Sequence, residues 1–180
     1  MDAIIEDVKI LSKKTYPDLR GATFEWFGEG DFHLESIFRE KINRVLISKS
    51  IEGCVRGIHF TDRSRGQYKL ITCIAGSIED YFIDLRPESK TFGQCGSVKL
   101  SGLDGKSVLI PPGIGHAYQS IQKDTIVSYL LNDNYSSEFE SSIRPVGAGS
   151  PIDFSMEPTE ISIRDLNSIT FSDFLSNLQK

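Results

Sequence analysis

Between residues 44 and 131 the chain is cut into short runs rich in β-branched and aromatic residues, and this feature most limits its fold. The runs are RVLISKS (44–50), CVRGIHF (54–60), YKLITCIAG (68–76), SIEDYFIDL (77–85), GSVKLSG (96–102), KSVLIP (106–111), HAYQSI (116–121) and TIVSYLL (125–131). Turn signals separate them: SIEG, DRSRG, AG, RPES, GLDG, PPGIG and QKD. Turns at a spacing of roughly ten residues predict a barrel or sandwich rather than βαβ units. Helical pattern is confined to EGDFHLESIFREK (29–41) and to the last 25 residues, with SIRDLNSITFSDFLSNL. No repeat, linker or low-complexity tract interrupts the chain. The reading is one domain over 1–180, its barrel core about 42–135, with N-terminal strands and a C-terminal helical segment packed around it.

Alternation within SIEDYFIDL leaves neither face cleanly apolar. Ile78, Asp80, Phe82 and Asp84 share one face, and Glu79, Tyr81, Ile83 and Leu85 the other. A barrel enclosing a wet binding cavity would tolerate an inward carboxylate, which a filled core would not.

Charge narrows the partners. The net charge is -5 with both signs mixed along the chain, so nucleic acid has no electrostatic footprint, while one locally positive pocket could still take an anionic small molecule. No run approaches the roughly 18 apolar residues of a membrane span, and the acidic start MDAIIEDVKILSKK does not read as a secretory signal. Cys54, Cys73 and Cys95 have no metal-type spacing and read as reduced thiols in a cytoplasmic protein.

Taken singly, the polar residues have bland readings. His59 could be a satisfied structural histidine, His116 a backbone cap after PPGIG, Lys69 a surface strand residue, and Tyr129 strand packing. Asp80 and Asp165 could each bond loop amides. His59 is followed by Phe60 and Thr61, and two histidines without a carboxylate at ligand spacing make a poor first-row metal site. Arg56 and His59 remain the puzzle, because both interrupt an apolar run and both are costly to bury unpaired.

Taken together, the residues resemble the dTDP-4-dehydrorhamnose 3,5-epimerase family of cupin-type nucleotide-sugar epimerases. The resemblance is carried by DLRG (18–21), VRGIH (55–59), QYKL (67–70), AGSIEDYFIDLRPESKTFG (75–93), LIPPGIGHAY (109–118), SYLLNDNY (128–135) and SIRDL (162–166). It implies an all-β fold, a cupin or jelly-roll antiparallel β-barrel with short peripheral helices, forming a homodimer through shared edge strands. It further implies a nucleotide-diphosphate-linked 4-keto-6-deoxyhexose as substrate, epimerised at C3, C5 or both without metal or cofactor. In the implied roles His59 is the base and Asp165 its carboxylate partner, Tyr129 the acid on the opposite side, and Lys69 the group steadying the enolate oxygen. Arg20 and Arg56 would meet the diphosphate, with Asp80, His116, Glu25, Ser48 and Tyr135 completing the pocket. The chain departs from the family pattern at Arg44 and Leu46, where a glutamine and an asparagine are usual, and at Thr61 and Asn134. These departures leave the carrier open among dTDP, CDP, GDP and UDP.

The chemistry asks for this set. A C4 ketone acidifies the hydrogens on C3 and C5, but only with a base near neutral pKa and a positive group where the oxyanion grows. Inversion then needs a proton from the opposite face. Competing expectations are a 3,4-ketoisomerase, a metal-dependent oxygenase or isomerase, and a non-catalytic sugar-nucleotide-binding barrel. Strict alternation would put Arg56 and His59 on opposite faces, unless Gly57 permits a bulge.

Overall fold

The computed structural model describes residues 5–28, 34, 37, 38, 42–134, 136 and 138–178. Its strands are β1 (Lys9–Ser12), β2 (Thr15–Asp18), β3 (Gly21–Phe24), β4 (Arg44–Ser50), β5 (Val55–Thr61), β6 (Lys69–Ala75), β7 (Ser77–Asp84) and β8 (Cys95–Ser101). There follow β9 (Lys106–Ile110), β10 (Ile114–Ser120), β11 (Thr125–Leu131) and β12 (Glu140–Ser142), then two short helices, α1 (Ile163–Leu166) and α2 (Phe171–Asn177). The helix expected over 29–41 lies largely outside the described residues. Leu34 and Phe38 from that segment are buried and belong to an apolar cluster with Leu70, Leu109 and Leu130.

Two five-stranded sheets carry the fold, ordered β1-β9-β6-β11-β4 and β12-β5-β10-β7-β8, with β2 and β3 forming a separate hairpin. Pairing within the sheets is antiparallel throughout. The expected barrel is not formed. Among the described residues no strand of one large sheet pairs with a strand of the other, so β1, β4, β8 and β12 stay sheet edges. Closure would bring β4 and β12 to the roughly 4.8 Å spacing of a ladder. Instead β4 and β12 do not pair, and Arg44 on β4 lies near Glu140 on β12, Nη1 to Oε1 at 3.8 Å.

The second sheet is buried on both faces, which accounts for the mixed pattern of β7. Ile78 and Phe82 point inward and pack with Ile71, Cys73, Val108 and Val127 of the facing sheet. Tyr81 and Ile83 point outward into a second cluster with Ile58, Ile143 and Ile152, roofed by Phe154, Phe171 and Phe174 of the C-terminal segment. Each fully buried aliphatic side chain contributes about 1.5–3 kcal/mol relative to exposure. The C-terminal segment is therefore fastened to the sheet that carries the candidate base. Asp84, also inward, accepts from Arg86, Ser89 and Thr91, while Arg86 reaches Asp7 at 2.8 Å. Burial alone would raise the Asp84 carboxyl; these donors outweigh it and hold it at about 2.

Candidate active site

A cavity of about 670 Å³ opens between the facing sheets, with β4 along one side and α1 along the other. His59, Lys69, Tyr129, Asp165, Arg56 and His116 all line it. They come from five different elements, so the fold, not local sequence, assembles the site.

The placement of Arg56 and His59 on one side depends on an irregularity. On β10 His116 pairs with His59, yet two residues later Tyr118 pairs with Arg56, so β5 holds one residue more than its partner over this stretch. Gly57 sits at that point with φ +129, a conformation that L side chains rarely adopt. The bulge anticipated from Gly57 is present and turns both polar side chains into the cavity. A Cβ at Gly57 would lie 2.5 Å from both the His116 carbonyl oxygen and the Ala117 Cβ, so the strands approach here as only glycine allows.

His59 Nε2 lies 2.7 Å from Asp165 Oδ1. Asp165 rides on α1, where the side chain of Ser162 caps the helix by accepting from the Asp165 amide at 3.1 Å. Burial would raise the Asp165 carboxyl, but the His59 bond, with help from Ser162 and the Gly57 amide, holds it below the ordinary carboxylate range. The partner of the candidate base is thus an anion at neutral pH. A second pair mirrors the first: His116 Nε2 lies 2.7 Å from Asp80 Oδ1, and both side chains are buried.

Lys69 reaches the His59 carbonyl at 3.3 Å. Burial pushes its pKa down to about 8, partly offset by the carboxylates of Glu140 and Asp80. Tyr129 stands on the opposite sheet from His59, its ring edge-to-face with His116 at 6.2 Å. Burial lifts its phenol well above the ordinary value, so it holds its proton until a strong acceptor forms beside it. The arrangement brings together the groups that general acid–base chemistry needs: an imidazole with a carboxylate partner on one sheet, and on the other a phenol and a lysine that reaches the His59 backbone.

Other expected residues divide. Ser48 lines the cavity and Asp80 supports His116. Arg20 does not reach the cavity; it lies exposed on the β2–β3 turn, paired with Asp18 at 2.6 Å. Glu25 is exposed beside that hairpin and is likewise not a lining residue. Tyr135 lies outside the described residues. The sequence reading passed over Gln67, Glu140 and Tyr118. Thr61 is buried and donates to Gln67 Oε1 at 2.9 Å, a polar contact between β5 and the start of β6 that no local pattern announces. Among the described residues no group of three or more His, Cys, Asp or Glu could hold a metal ion. No helix among them is long and apolar enough to cross a membrane.

Comparison with known proteins agrees with this geometry. The family model described as dTDP-4-dehydrorhamnose 3,5-epimerase matches residues 2–173, and the chain belongs to that family. A dTDP-4-dehydrorhamnose 3,5-epimerase of Mycolicibacterium smegmatis is 35% identical over 132 residues, covering 73% of this chain and 66% of the relative. A dTDP-4-dehydrorhamnose 3-epimerase of Streptomyces niveus is 30% identical over 175 residues, 94% of this chain and 82% of the relative. Among solved structures, a 3'-monoepimerase from Streptomyces bikiniensis in complex with dTDP-quinovose superposes with a TM-score of 0.88 at 28% identity, covering 99% of this chain and 90% of that one. The chain is an enzyme of the epimerase class.

Proposed function

We propose that the protein inverts C3, C5 or both of a nucleotide-diphosphate-linked 4-keto-6-deoxyhexose by proton abstraction beside the ketone. The observation that carries this reading is the His59 imidazole, paired with Asp165, facing the Tyr129 phenol on the opposite sheet, with Lys69 reaching the His59 backbone. His59 takes the proton from carbon, and the electron pair moves onto the C4 oxygen beside Lys69. Tyr129 then gives its proton to the same carbon from the other face, so one C–H breaks and another forms with inverted configuration. Asp165 fixes the His59 tautomer and stabilises the imidazolium. Arg56 presents a planar fork suited to the diphosphate. The protein acts as a homodimer, with no metal, cofactor, nucleic acid or membrane. The exposed β2–β3 hairpin bearing Arg20, and the exposed Val45 and Ile47 on edge strand β4, are the surfaces a second copy would use.

Incubation in deuterium oxide with dTDP-, CDP-, GDP- and UDP-linked 4-keto-6-deoxyhexoses tests this reading. Deuterium at C3 or C5 with inverted product on one carrier is expected, and it counts the centres as well. A product with its ketone at C3 would mean ketoisomerisation. A folded, ligand-binding protein that exchanges no hydrogen on any carrier would overturn His59 as the base.

A further inference from the structure

Gln67 and Thr61 are polar and almost wholly buried, at 3% and 4% exposure, and neither has a part in the acid–base chemistry. Thr61 Oγ1 donates to Gln67 Oε1 at 2.9 Å, which takes up the oxygen end of the amide. The other end, Nε2, bonds no protein group among the described residues, although Gln67 lines the cavity. A buried amide donor without a partner is costly, so a donor left this way is fitted to something that enters from outside. Glu140 favours the same orientation. It stands opposite Thr61 in the β5–β12 register, so the two side chains share a face, and it too lines the cavity. A carboxylate there favours the N–H end of the amide over its oxygen.

Position along the cavity says what this donor would meet. Down β5 the order is Arg56, His59, Thr61, and Thr61 brings Gln67 to the end beyond His59. Gln67 also lies two residues before Lys69, while Tyr68 between them turns the other way, into the cluster with Leu70 and Leu130. A nucleotide sugar with its diphosphate at Arg56 and its C4 oxygen at Lys69 turns toward Gln67 the side of the ring farthest from the anomeric carbon. In a 6-deoxyhexose C6 is a methyl group, which leaves the C3 hydroxyl as the polar group beside C4. We propose that Gln67 donates from Nε2 to the C3 oxygen of the substrate, and that Thr61 is the positioning residue that turns the amide to do so. The proposal rests on the reading of Arg56 at the diphosphate and Lys69 at the C4 oxygen. Gln67 is thereby a specificity-determining contact, favouring sugars with a hydroxyl at C3 over those without one.

The test reads binding, not turnover. dTDP-, CDP-, GDP- and UDP-6-deoxyglucose carry a C4 hydroxyl in place of the ketone, so their C3 and C5 hydrogens are not acidic. Each is titrated into the protein by calorimetry, and the tightest binder is compared with its 3-deoxy counterpart. The parent protein should prefer the ligand with the C3 hydroxyl. Gln67→Met should reduce that preference about fivefold, the scale of one neutral hydrogen bond, by weakening the hydroxyl ligand alone. Thr61→Val should shrink the preference in the same way, and Thr61→Ser, which keeps the donor, should restore it. Thr61→Val nearly conserves shape and carries the test should Gln67→Met fail to fold. A parent that binds both ligands equally, or variants that weaken both ligands equally or leave the preference intact, overturns the contact. An effect in Gln67→Met alone overturns the part given to Thr61. A folded parent that binds none of the four nucleotide sugars overturns the substrate reading itself, and the contact with it.

Discussion

Two imidazole–carboxylate pairs of equal length, 2.7 Å, sit on neighbouring strands of one sheet, with His59 and His116 in direct register. Their settings differ. The His59 side chain is 37% exposed and its Asp165 partner 4%, whereas His116 is 6% exposed and Asp80 entirely buried. His59 lies on β5, beyond which stands only the three-residue β12, and its carboxylate comes from a short capped helix. His116 is on β10, flanked by β5 and β7, and its carboxylate comes from the sheet itself. The open pair can meet a substrate carbon; the enclosed pair holds the wall against which Tyr129 packs. Similar hydrogen bonds thus sit in different settings: both imidazoles line the cavity, and their exposure sets them apart.

Removing each imidazole should separate the two roles most sharply. His59→Ala is expected to lower turnover about 10²–10⁴-fold, the worth of a general base, with little change in melting temperature. His116→Ala should instead destabilise by about 3–5 kcal/mol, because it strands a buried carboxylate. Asp80 Oδ2 already has no hydrogen-bond partner, so nothing nearby stands ready to replace the lost contact. Denaturant melts and initial rates on both variants check this. A stable, fully folded His116→Ala protein with the larger kinetic defect would reverse the assignment of roles.

Lys69 stands between the pairs, bonded to the His59 backbone and attracted by Asp80, and its charge should shape the alkaline limb of activity. Its pKa is lowered to about 8, so the ammonium is intact below that pH and lost as pH rises through it. The profile of kcat/KM, which reports the free enzyme, should therefore fall above about pH 8. Lys69→Met should lose about 10²–10³-fold in kcat, the scale of one oxyanion-stabilising donor, and its remaining activity should lack that limb. An unchanged limb in Lys69→Met would assign it to another group. The same lowering affects stability: between about 8 and the ordinary lysine value of 10.5 the unfolded chain binds more protons, so folding gains as pH rises across that window.

The central strands were legible because β-branched runs and turn residues are local signals. All of the runs read between 44 and 131 correspond to strands, within one or two residues at their ends. Closure into a barrel was not legible, because it depends on whether two edges meet, and here the edge strands β4 and β12 do not pair. In the site, His59, Lys69, Tyr129 and Asp165 were named through family resemblance, since their separation by up to 106 positions leaves no local spacing to read. Tyr118 was written in the motif LIPPGIGHAY but carried no distinguishing mark. Its hydroxyl meets Ser48 and Ser50, contributed by an edge strand of the opposite sheet, and such a register is a property of the assembled fold.

The smallest effect concerns what the open pair adds to stability. The Asp165 carboxyl is held below its unfolded value, so its contribution is present above the ordinary carboxylate range and is lost as pH falls through the lowered one. His59 is partly solvated, so that contribution should be modest, on the order of 1 kcal/mol, as for a hydrogen bond to a partly exposed charge. Asp165→Asn retains the shape of the side chain but removes the anion. Compared by urea unfolding, it should be less stable than the parent at pH 7 and converge with it as the pH is taken below the carboxylate range. Persistence of the full difference in acid would locate the cost in lost packing of α1 against β5, not in the charge. In that case exposure alone would not explain the contrast between the pairs, and the helix carrying Asp165 would have to be counted as part of the structural frame.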